Sequence, residues 1–545
     1  MRKILFVALL TLLWSLPSHA QITAASCSAS DVQTAFNSVT SSTITVTIPA
    51  CGAGGTTWTA EVTLNVPSGN NNLTIQGQGV CTPSGTPGTS GYSISCNDAS
   101  EIVDGLSGTG ETLVIGGINN STLFRITGLT FSTGRLQYSG MIGLNGNSSE
   151  VRFDHNHIVL TADQAGLSMM RVNGCINGVA DHNLLVMPTG AGSDNGIQEY
   201  NGASCYSDSL GLGDEVWANP TSLGASNFFF MEDNQILNGA SNDCLYGGRY
   251  VIRYNTFSST APAPPIQTHA TTGGRQRGCR AWEIYDNYLV NTGVSESFEA
   301  LRLESGTGVV WGNTIPNSNG GFAHILSFHS ERSSNYTYTE TAAPGGWGYC
   351  GTNFDGTGSN WDENTSSADG HECLDNVGMG IGDLLTGGFT SDGSGSNNVK
   401  NNATSCLSNQ TCTWPRQALE PVHEWMDTAS YASGGDYWDV NNPSTTALTN
   451  NREFYVWCNA SSNSGCTTFN GTAGTGSGLY SAIPSTCTTR VGYWATDQSE
   501  LYVCTATNAW TASYTPYTYP HPLTSGSSQT SSTPAAPMNV TASVE

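Results

Sequence analysis

The dominant pattern of the sequence is a short apolar stretch, an asparagine and a second short apolar stretch. It recurs six times between residues 151 and 315, with 27, 51, 21, 32 and 26 residues between successive asparagines. These asparagines are Asn156, Asn183, Asn234, Asn255, Asn287 and Asn313. Counting the longest spacing as two repeats gives a mean of about 26 residues, within the range that indicates a solenoid. The pattern therefore predicts an all-β chain wound as a parallel β-helix.

The asparagines themselves have a structural explanation. A sharp bend between two strands requires left-handed backbone angles, which asparagine tolerates better than other residues except glycine. Side-chain amides at the same corner of successive coils can also bond to one another, as identical residues do in cross-β ladders. We therefore expect a ladder of amides that fixes the bends and takes no part in chemistry.

The first residues are typical of a secretory signal peptide. Residues 1–20 contain two basic residues, an apolar run and a small-residue end, so the mature chain is expected to begin at Gln21. Behind it, Ser30 or Asp31 is expected as the N-cap of a short amphipathic helix that covers the open end of the solenoid. No later apolar run is long enough to cross a bilayer, which predicts export with no membrane insertion.

Two long insertions interrupt the repeat, and a cysteine- and aromatic-rich stretch and a Ser/Thr/Pro tail follow it. The predicted divisions are a β-helix over 21–460 with insertions near 188–226 and 333–400, a disulfide-containing C-terminal cap over 461–522, and a linker with the start of a fibronectin type III-like segment over 523–545. Because insertions in a solenoid emerge as loops on one face, the first of them is a candidate wall of a binding groove.

Composition restricts the compartment and the partners. The 16 cysteines include no C-x-x-C pair, which favours the disulfides of a secreted protein. Cys406 with Cys412 and Cys458 with Cys466 are close enough in sequence to close small loops, and the full connectivity is open. The formal net charge of −25 argues against nucleic acid as a partner.

One part of this acidic chain is rich in arginine. Six arginines lie near His269, between residues 249 and 302: Arg249, Arg253, Arg275, Arg277, Arg280 and Arg302. Guanidinium groups bind carboxylates bidentately, so the region favours an acidic polysaccharide as the ligand. For β-elimination, His269, Arg275 or Arg280 is the candidate base that removes the proton beside a uronate carboxylate. The substrate-binding candidates are Arg249, Arg277 and Arg302. Alternatively, the arginines form surface ion pairs with neighbouring carboxylates such as Glu283 and Glu299.

A second candidate site is a row of carboxylates just before the ladder asparagines. The row comprises Asp154, Asp181, Glu232 and Asp233, with Asp243 and Glu304 further along the chain. Paired carboxylates serve as acid and base in glycoside hydrolases, which makes Asp154 and Asp181 catalytic candidates and Glu232 and Asp233 substrate-binding ones. Carboxylate oxygens also bind Ca²⁺, for which Asp154, Asp181 and Asp233 are the candidate ligands. Alternatively, these groups only cap backbone N–H groups at the bends.

The residues around the first ladder asparagine resemble a known family. Val151-Arg152-Phe153-Asp154-His155-Asn156 is similar to a strand motif of the pectate-lyase-like superfamily of secreted β-helix proteins. The spacing of Arg275 and Arg280 resembles that of the arginine pair in the catalytic loop of those lyases. The resemblance extends over roughly residues 25–460. It implies a right-handed parallel β-helix, a calcium-binding role for Asp154 and an arginine as the catalytic base.

Three functions are compatible with these observations, because one scaffold hosts enzymes and binding proteins alike. The first is a secreted polysaccharide lyase that acts on an acidic polysaccharide with the assistance of calcium. The second is a β-helical glycoside hydrolase that uses paired aspartates. The third is a non-catalytic cell-surface adhesin or fibre component, which the Ser/Thr/Pro tail and the low density of charge favour. The lyase is the leading expectation.

Overall fold

The structure of the chain, a computed structural model, is predominantly β and describes residues 20–525 with interruptions. The residues outside the description are 1–19, 108–109, 120–121, 134–139, 162–167, 190–194, 201–218, 240–241, 261–262, 271–277, 294–297, 317–320, 330–375, 383–416, 442–447, 460, 464 and 526–545. Arg275, Arg277, Cys406 and Cys412 fall among them, so the predictions made for these residues lie outside the described part of the chain.

Most strands belong to two parallel sheets of 20 and 10 strands. The strands form three stacks, which we call stack A, stack B and stack C. Stack A, before the asparagine bends, contains Ala20–Thr23, Thr43–Thr47, Asn72–Gln76, Leu123–Thr127, the later parts of Ile142–Asp154 and Ser168–Asp181, Phe229–Glu232, Arg249–Arg253, Ala281–Tyr285, Thr307–Trp311, Val422–Trp425 and Phe454–Tyr455.

Stacks B and C complete each repeat. Stack B, after the bends, contains Thr56–Trp58, Glu101–Asp104, Thr130–Thr133, His157–Leu160, Leu184–Val186, Gln235–Leu237, Thr256–Ser259, Tyr288–Asn291, Thr314–Ile315 and Thr428–Ala429. Stack C contains Val62–Asn65, Leu113–Ile118, the first parts of Ile142–Asp154 and Ser168–Asp181, Asn195–Tyr200, Asn242–Leu245, Ile266–Thr268, Glu299–Leu303, His324–His329 and Asp436–Asn441. Because two long strands run through both stack C and stack A, these stacks form one sheet.

Strands in the three stacks pair in parallel with the equivalent strand of the next repeat. In stack A, Phe153 pairs with Ala180, which pairs with Met231 and then Ile252. All four side chains are fully buried, so the apolar position of each strand falls above that of the preceding strand and builds a continuous core. The chain is thus all-β with long parallel sheets, an arrangement compatible with a β-helix.

The predicted amide ladder is present at the bends between stacks A and B. Each asparagine is fully buried, and each Nδ2 donates to the Oδ1 of the next. The donor–acceptor distances are 3.3 Å for Asn156–Asn183, 2.9 Å for Asn183–Asn234, 3.0 Å for Asn234–Asn255, 3.1 Å for Asn255–Asn287 and 3.0 Å for Asn287–Asn313. The backbone N–H of each asparagine donates to the same Oδ1 atoms.

The reason given above for asparagine at these bends was wrong. The left-handed residue is the one before each asparagine, as in His155 (φ 52°), His182 (φ 55°) and Asp233 (φ 58°). A buried amide is both donor and acceptor, so an identical residue above and below satisfies it. Asparagine is therefore favoured by its hydrogen bonds and not by its backbone preference.

The ladder continues into an aspartate, Asp427, which stands where an asparagine stood in the earlier repeats. Asn313 donates to Asp427 Oδ1 from its backbone N at 2.7 Å and from Nδ2 at 3.0 Å. Asp427 Oδ2 meets no hydrogen-bond donor among the described residues. Burial, and next the charge of neighbouring Glu424, raise the pKa of Asp427 well above its usual value. The carboxyl therefore keeps its proton in the folded protein at pH values where the unfolded chain has lost it.

Replacing Asp427 with asparagine is expected to stabilise the fold at neutral pH. An unfolded aspartate ionises near pH 4, so a raised folded pKa makes stability fall as pH rises above that value. Asp427→Asn removes this loss, and we expect a gain of about 1–3 kcal/mol at pH 8 and little change at pH 4. Denaturant unfolding at both pH values measures it. The reverse change inside the ladder, Asn234→Asp, should steepen the decline with pH. An equal gain at both pH values would contradict this explanation.

The α-helix Ala29–Asn37 precedes the second strand of stack A. Its N-cap is Ser28, whose hydroxyl accepts the N–H of Asp31, so the prediction of Ser30 or Asp31 as the N-cap was wrong by two residues or more. The buried side chains of Val32, Ala35 and Phe36 join the core. The helix thus contributes its apolar face to the first repeats.

Disulfides join described cysteines near both ends of the chain and in its middle. The pairs are Cys27–Cys51, Cys81–Cys96, Cys244–Cys279, Cys458–Cys466 and Cys487–Cys504. The expected loop between Cys458 and Cys466 is therefore confirmed. In the described residues no cysteine is free.

The residues predicted as a C-terminal cap form a separate four-stranded sheet beside stack A. Its strands are Thr475–Gly478, Gly492–Ala495, Glu500–Ala506 and Ala509–Tyr514, the last three antiparallel. Trp494 stacks on Trp311 and Trp425 of stack A with ring centroids 5.3 and 5.0 Å apart. The chain then continues along the outer face of stack A to Ser525. Two further antiparallel strand pairs are Cys81–Ser84 with Ser93–Cys96 and Met379–Gly382 with Gln417–Leu419.

Candidate functional site

Two of the carboxylate candidates, Asp154 and Asp181, are buried in ion pairs. Each is the last residue of its strand in stack A, and the two lie side by side in neighbouring repeats with fully buried side chains. Arg125 Nε donates to Asp154 Oδ1 at 2.6 Å, and Arg152 Nη2 donates to Asp181 Oδ2 at 2.8 Å. Burial opposes ionisation of Asp154, but hydrogen bonds from Arg125 and His155 outweigh it and lower its pKa to about 2. Both carboxylates are therefore paired with arginine side chains of the protein.

Glu232 and Asp233 continue this row and are covered by the C-terminal segment. Arg253 Nε donates to Glu232 Oε2 at 2.7 Å, and the backbone N of His521 donates to Glu232 Oε1 at 2.7 Å. The hydroxyl of Tyr519 donates to Asp233 Oδ1 at 2.8 Å. Burial raises the pKa of Glu232 to about 7 and that of Asp233 to about 6. The structure therefore places these substrate-binding candidates beneath the C-terminal segment and not in an open groove.

The candidate calcium ligands do not form a set that fits this ion. Ca²⁺ requires six to eight oxygen ligands, whereas the oxygens of Asp154 and Asp181 accept bonds from guanidinium and imidazole groups. Among the described residues, no group of three or more His, Cys, Asp or Glu side chains is arranged to hold a metal ion. Calcium assistance therefore stays a prediction from the sequence.

The arginine-rich region divides into different environments. Arg249 and Arg280 are almost fully buried, and both donate to the carbonyl of Asn219 at the end of the first insertion. Arg249 Nη1 also donates to the carbonyl of Thr221 at 3.0 Å, and Arg280 Nη2 to Glu420 Oε2 at 2.9 Å. These two arginines fasten the segment from 219 onward to stack A. The base role considered for Arg280 therefore has no support from its surroundings.

His269 and Arg302 instead lie together on the outer face of stack C. The exposed fractions of their side chains are 33% and 28%. His269 Nδ1 lies 3.2 Å from Asp243 Oδ2, and His269 Nε2 lies 4.0 Å from Glu304 Oε2. Arg302 Nε is 3.8 Å from Glu304 Oε1 and is bonded to Glu299. We call these five residues the stack C cluster.

The two carboxylates that contact His269 are buried at the base of the cluster. The side chains of Asp243 and Glu304 are only 1% and 2% exposed. Asp243 Oδ2 accepts the amide of Gln198 at 2.8 Å. Glu304 Oε1 accepts the amide of Gln267 at 3.2 Å, and Glu304 Oε2 accepts the backbone N of Ala270, also at 3.2 Å. The imidazole is thus partly exposed, and two buried, hydrogen-bonded carboxylates lie beneath it.

The ion pairs at the edge of the cluster keep Glu299 ionised. Burial opposes its ionisation, but a hydrogen bond from His329 and the charge of Arg302 outweigh burial and lower its pKa to about 2. At the other end of the same face, Arg171 Nη2 donates to Gln198 Oε1 at 3.3 Å. Burial raises the pKa of nearby Glu111 to about 7. A row of charged and amide side chains therefore follows the outer face of stack C.

This arrangement suits proton transfer. When Nδ1–H of His269 donates to Asp243, Nε2 carries the lone pair, and the carboxylate stabilises the imidazolium that forms when Nε2 takes a proton. Arg302 places a partly exposed guanidinium on the same face, where it can interact with negative charge on a bound molecule.

Sequence reasoning singled out His269 and Arg302 but not most of their partners. Gln198, Gln267 and His329 were missed, and Asp243 and Glu304 were named only as carboxylates that follow the ladder row. Stack C has no recurrent asparagine to mark its register. Inward-facing and outward-facing residues alternate within each short strand of stack C, and the ladder lies one strand earlier in the same repeat. Aligning this alternation on the ladder is the signal that would have brought Asp243 beside His269.

Comparisons with protein-family models, with curated proteins and with solved structures find no match to this chain. None of the helices in the described part of the chain is long and apolar enough to cross a bilayer.

Proposed function

We propose that this chain is a secreted right-handed parallel β-helix protein of the pectate-lyase-like kind, and that it cleaves an acidic polysaccharide by β-elimination. The parallel pairing of three stacks and the asparagine ladder support the β-helix. The disulfides support an oxidising compartment outside the cytoplasm. The proposed active site is the stack C cluster, because it combines a histidine, a buried carboxylate partner and an arginine on one accessible face.

The observation that carries the proposal is the position of His269 between Asp243 and Glu304, beside Arg302. In the proposed reaction, His269 Nε2 removes the proton next to the carboxylate of a uronate unit. The electron pair of that C–H bond becomes the new double bond, and the glycosidic oxygen leaves and takes a proton from water. Arg302 binds the substrate carboxylate and stabilises the negative charge that develops on it. Asp243 holds the imidazole in the tautomer that accepts the proton.

The test is an assay of the purified protein with polygalacturonate, alginate and glycosaminoglycan uronates. A lyase forms an unsaturated uronate whose conjugated double bond absorbs in the ultraviolet, and we expect this absorbance to rise with at least one of these polymers. Failure of every acidic polymer to give the absorbance would exclude the lyase.

A glycoside hydrolase is the second candidate, and one observation favours it. Asp243 and Glu304 approach the same imidazole from its two nitrogens, so two buried carboxylates lie close together beneath His269, and acid–base hydrolysis uses such a pair. New reducing ends without ultraviolet absorbance would identify this reaction. A protein that retains polymer without either product would instead be the adhesin considered above.

A further inference from the structure

A polar recess lies beside the final strand of stack C, Asp436–Asn441. Its volume is about 400 Å³, which falls in the range of small-molecule sites. The walls include Tyr431, Asp436, Trp438, Asn450, Ser461 and Asn463. Three strand spacings separate this strand from Ile266–Thr268, next to His269, a distance of about 14 Å. The recess is therefore distinct from the stack C cluster.

The walls of the recess contain polar atoms that lack partners. Asn463 is only 5% exposed. Its Oδ1 accepts the backbone N of Gly465 at 3.2 Å, but its Nδ2 meets no acceptor among the described residues. Asn450 Oδ1 is also buried and meets no donor in the described part of the chain. A buried polar atom without a partner costs about 1–3 kcal/mol. One donor and one acceptor around the same recess match the two roles of a hydroxyl group.

Aromatic side chains form another part of the wall. Tyr431 and Trp438 are partly exposed, and Trp438 packs edge-on against Phe454 with ring centroids 5.2 Å apart. This contact with the core orients the indole. Aromatic faces carry negative potential and attract the C–H groups of a flat molecule. Amides beside aromatic faces are suited to a molecule with both hydroxyl groups and apolar C–H faces, which describes a sugar ring.

The charge of the recess selects among sugars. Asp436 is the only charged residue in its described lining, and no basic residue is present there. A uronate or sulfated sugar would be repelled by this carboxylate and would find no cation to pair with. We propose that the recess is a second carbohydrate site, which binds a neutral saccharide unit without cleaving it. This site does not depend on the lyase proposal, and it would let the protein attach to a neutral polymer while it acts on an acidic one.

The test measures binding of neutral oligosaccharides of three to six units, built from glucose, xylose, mannose or galactose, to the full mature chain. It is done by titration calorimetry in a His269→Gln background, so that turnover cannot interfere. We expect saturable binding of at least one series. Asn463→Ala and Tyr431→Ala should each weaken it about tenfold or more, because each removes a direct contact. Asn72→Ala and Tyr480→Ala are matched controls, since both side chains are exposed and away from the recess.

Unchanged unfolding temperatures in the two recess variants would show that the loss of binding is local. The proposal would be overturned if no neutral series binds, if neither substitution weakens binding, or if oligogalacturonate binds the recess as tightly as the neutral sugars. Because the assay reads binding alone, it stands or fails separately from the test for unsaturated products.

Discussion

His269→Gln is expected to lower the formation of unsaturated product about 100- to 10 000-fold, the usual contribution of a general base. Glutamine keeps a polar side chain of similar length that can still contact Asp243, but it cannot take a proton at neutral pH. Substrate binding through Arg302 remains, so KM should change much less than kcat. Initial rates over a range of substrate concentrations separate these two quantities.

His157→Gln is the matched control for this experiment. His157 lies on stack B, where its Nδ1 pairs with Asp98 at 2.7 Å, and it does not face the stack C cluster. Its replacement should leave both kcat and KM unchanged. Asp243→Asn provides a second test, since it removes the charge that stabilises the imidazolium while keeping the shape. It should lower kcat and, because the imidazolium is then less stable, shift the alkaline rise of activity to lower pH. Equal activity of His269→Gln and His157→Gln would remove His269 from the mechanism.

The fold was more predictable than the site, and the ladder shows why. The residues at the bends repeat because a buried amide is satisfied by an identical amide in the next repeat. That requirement leaves a visible signal at Asn156, Asn183 and the later members. Asp427 does not match the signal by residue type, and it was not predicted as part of the ladder. Its place becomes clear only when Asn313 is seen to donate to it.

The candidate site was harder to predict because it depends on register and on what covers each face. Asp154 is the last residue of one strand and His269 directly follows another, but the first lies on stack A and the second on stack C. Only the pairing of strands shows that Asp243 precedes His269 by one repeat. The sequence also could not show that residues 517–523 return to cover Glu232 and Asp233, because that contact joins positions almost 300 residues apart.

The outer faces of stack A and stack C differ in what surrounds their charged residues. On stack A, buried charges are matched by arginines and closed by the C-terminal segment, which is the environment of structural ion pairs. On stack C, His269 and Arg302 remain partly exposed above buried carboxylates. Similar residue types thus hold the C-terminal segment on stack A and are accessible to a bound molecule on stack C. A substitution on stack A should therefore affect stability and leave the stack C cluster intact.

Arg253→Leu is expected to have the largest effect on stability, about 3–5 kcal/mol, because it leaves a buried carboxylate without its cation. The Arg253 side chain is fully buried against Glu232. It donates to the carbonyl oxygens of Tyr517 and Thr518 at 2.7 and 2.8 Å, and its guanidinium lies 5.3 Å from the ring centroid of Tyr519. The substitution therefore releases the C-terminal segment as well as breaking the ion pair. Denaturant unfolding measures the first effect, and limited proteolysis between residues 515 and 525 measures the second.

The pH dependence of this loss follows from Glu232. Burial already raises its pKa to about 7, and removing the Arg253 charge raises it further. A carboxyl group whose pKa is higher in the folded than in the unfolded chain makes the fold less stable as pH rises between those two values. The Arg253→Leu variant should therefore be more destabilised at pH 8 than at pH 5.

Arg253→Lys keeps the charge but lacks the planar fork that bonds both carbonyls, so its stability should lie between that of Arg253→Leu and that of the wild type. Arg490→Leu, at an exposed arginine of the C-terminal sheet region, should leave stability and proteolysis unchanged. Protection of residues 515–525 in Arg253→Leu would show that other contacts hold this segment in place.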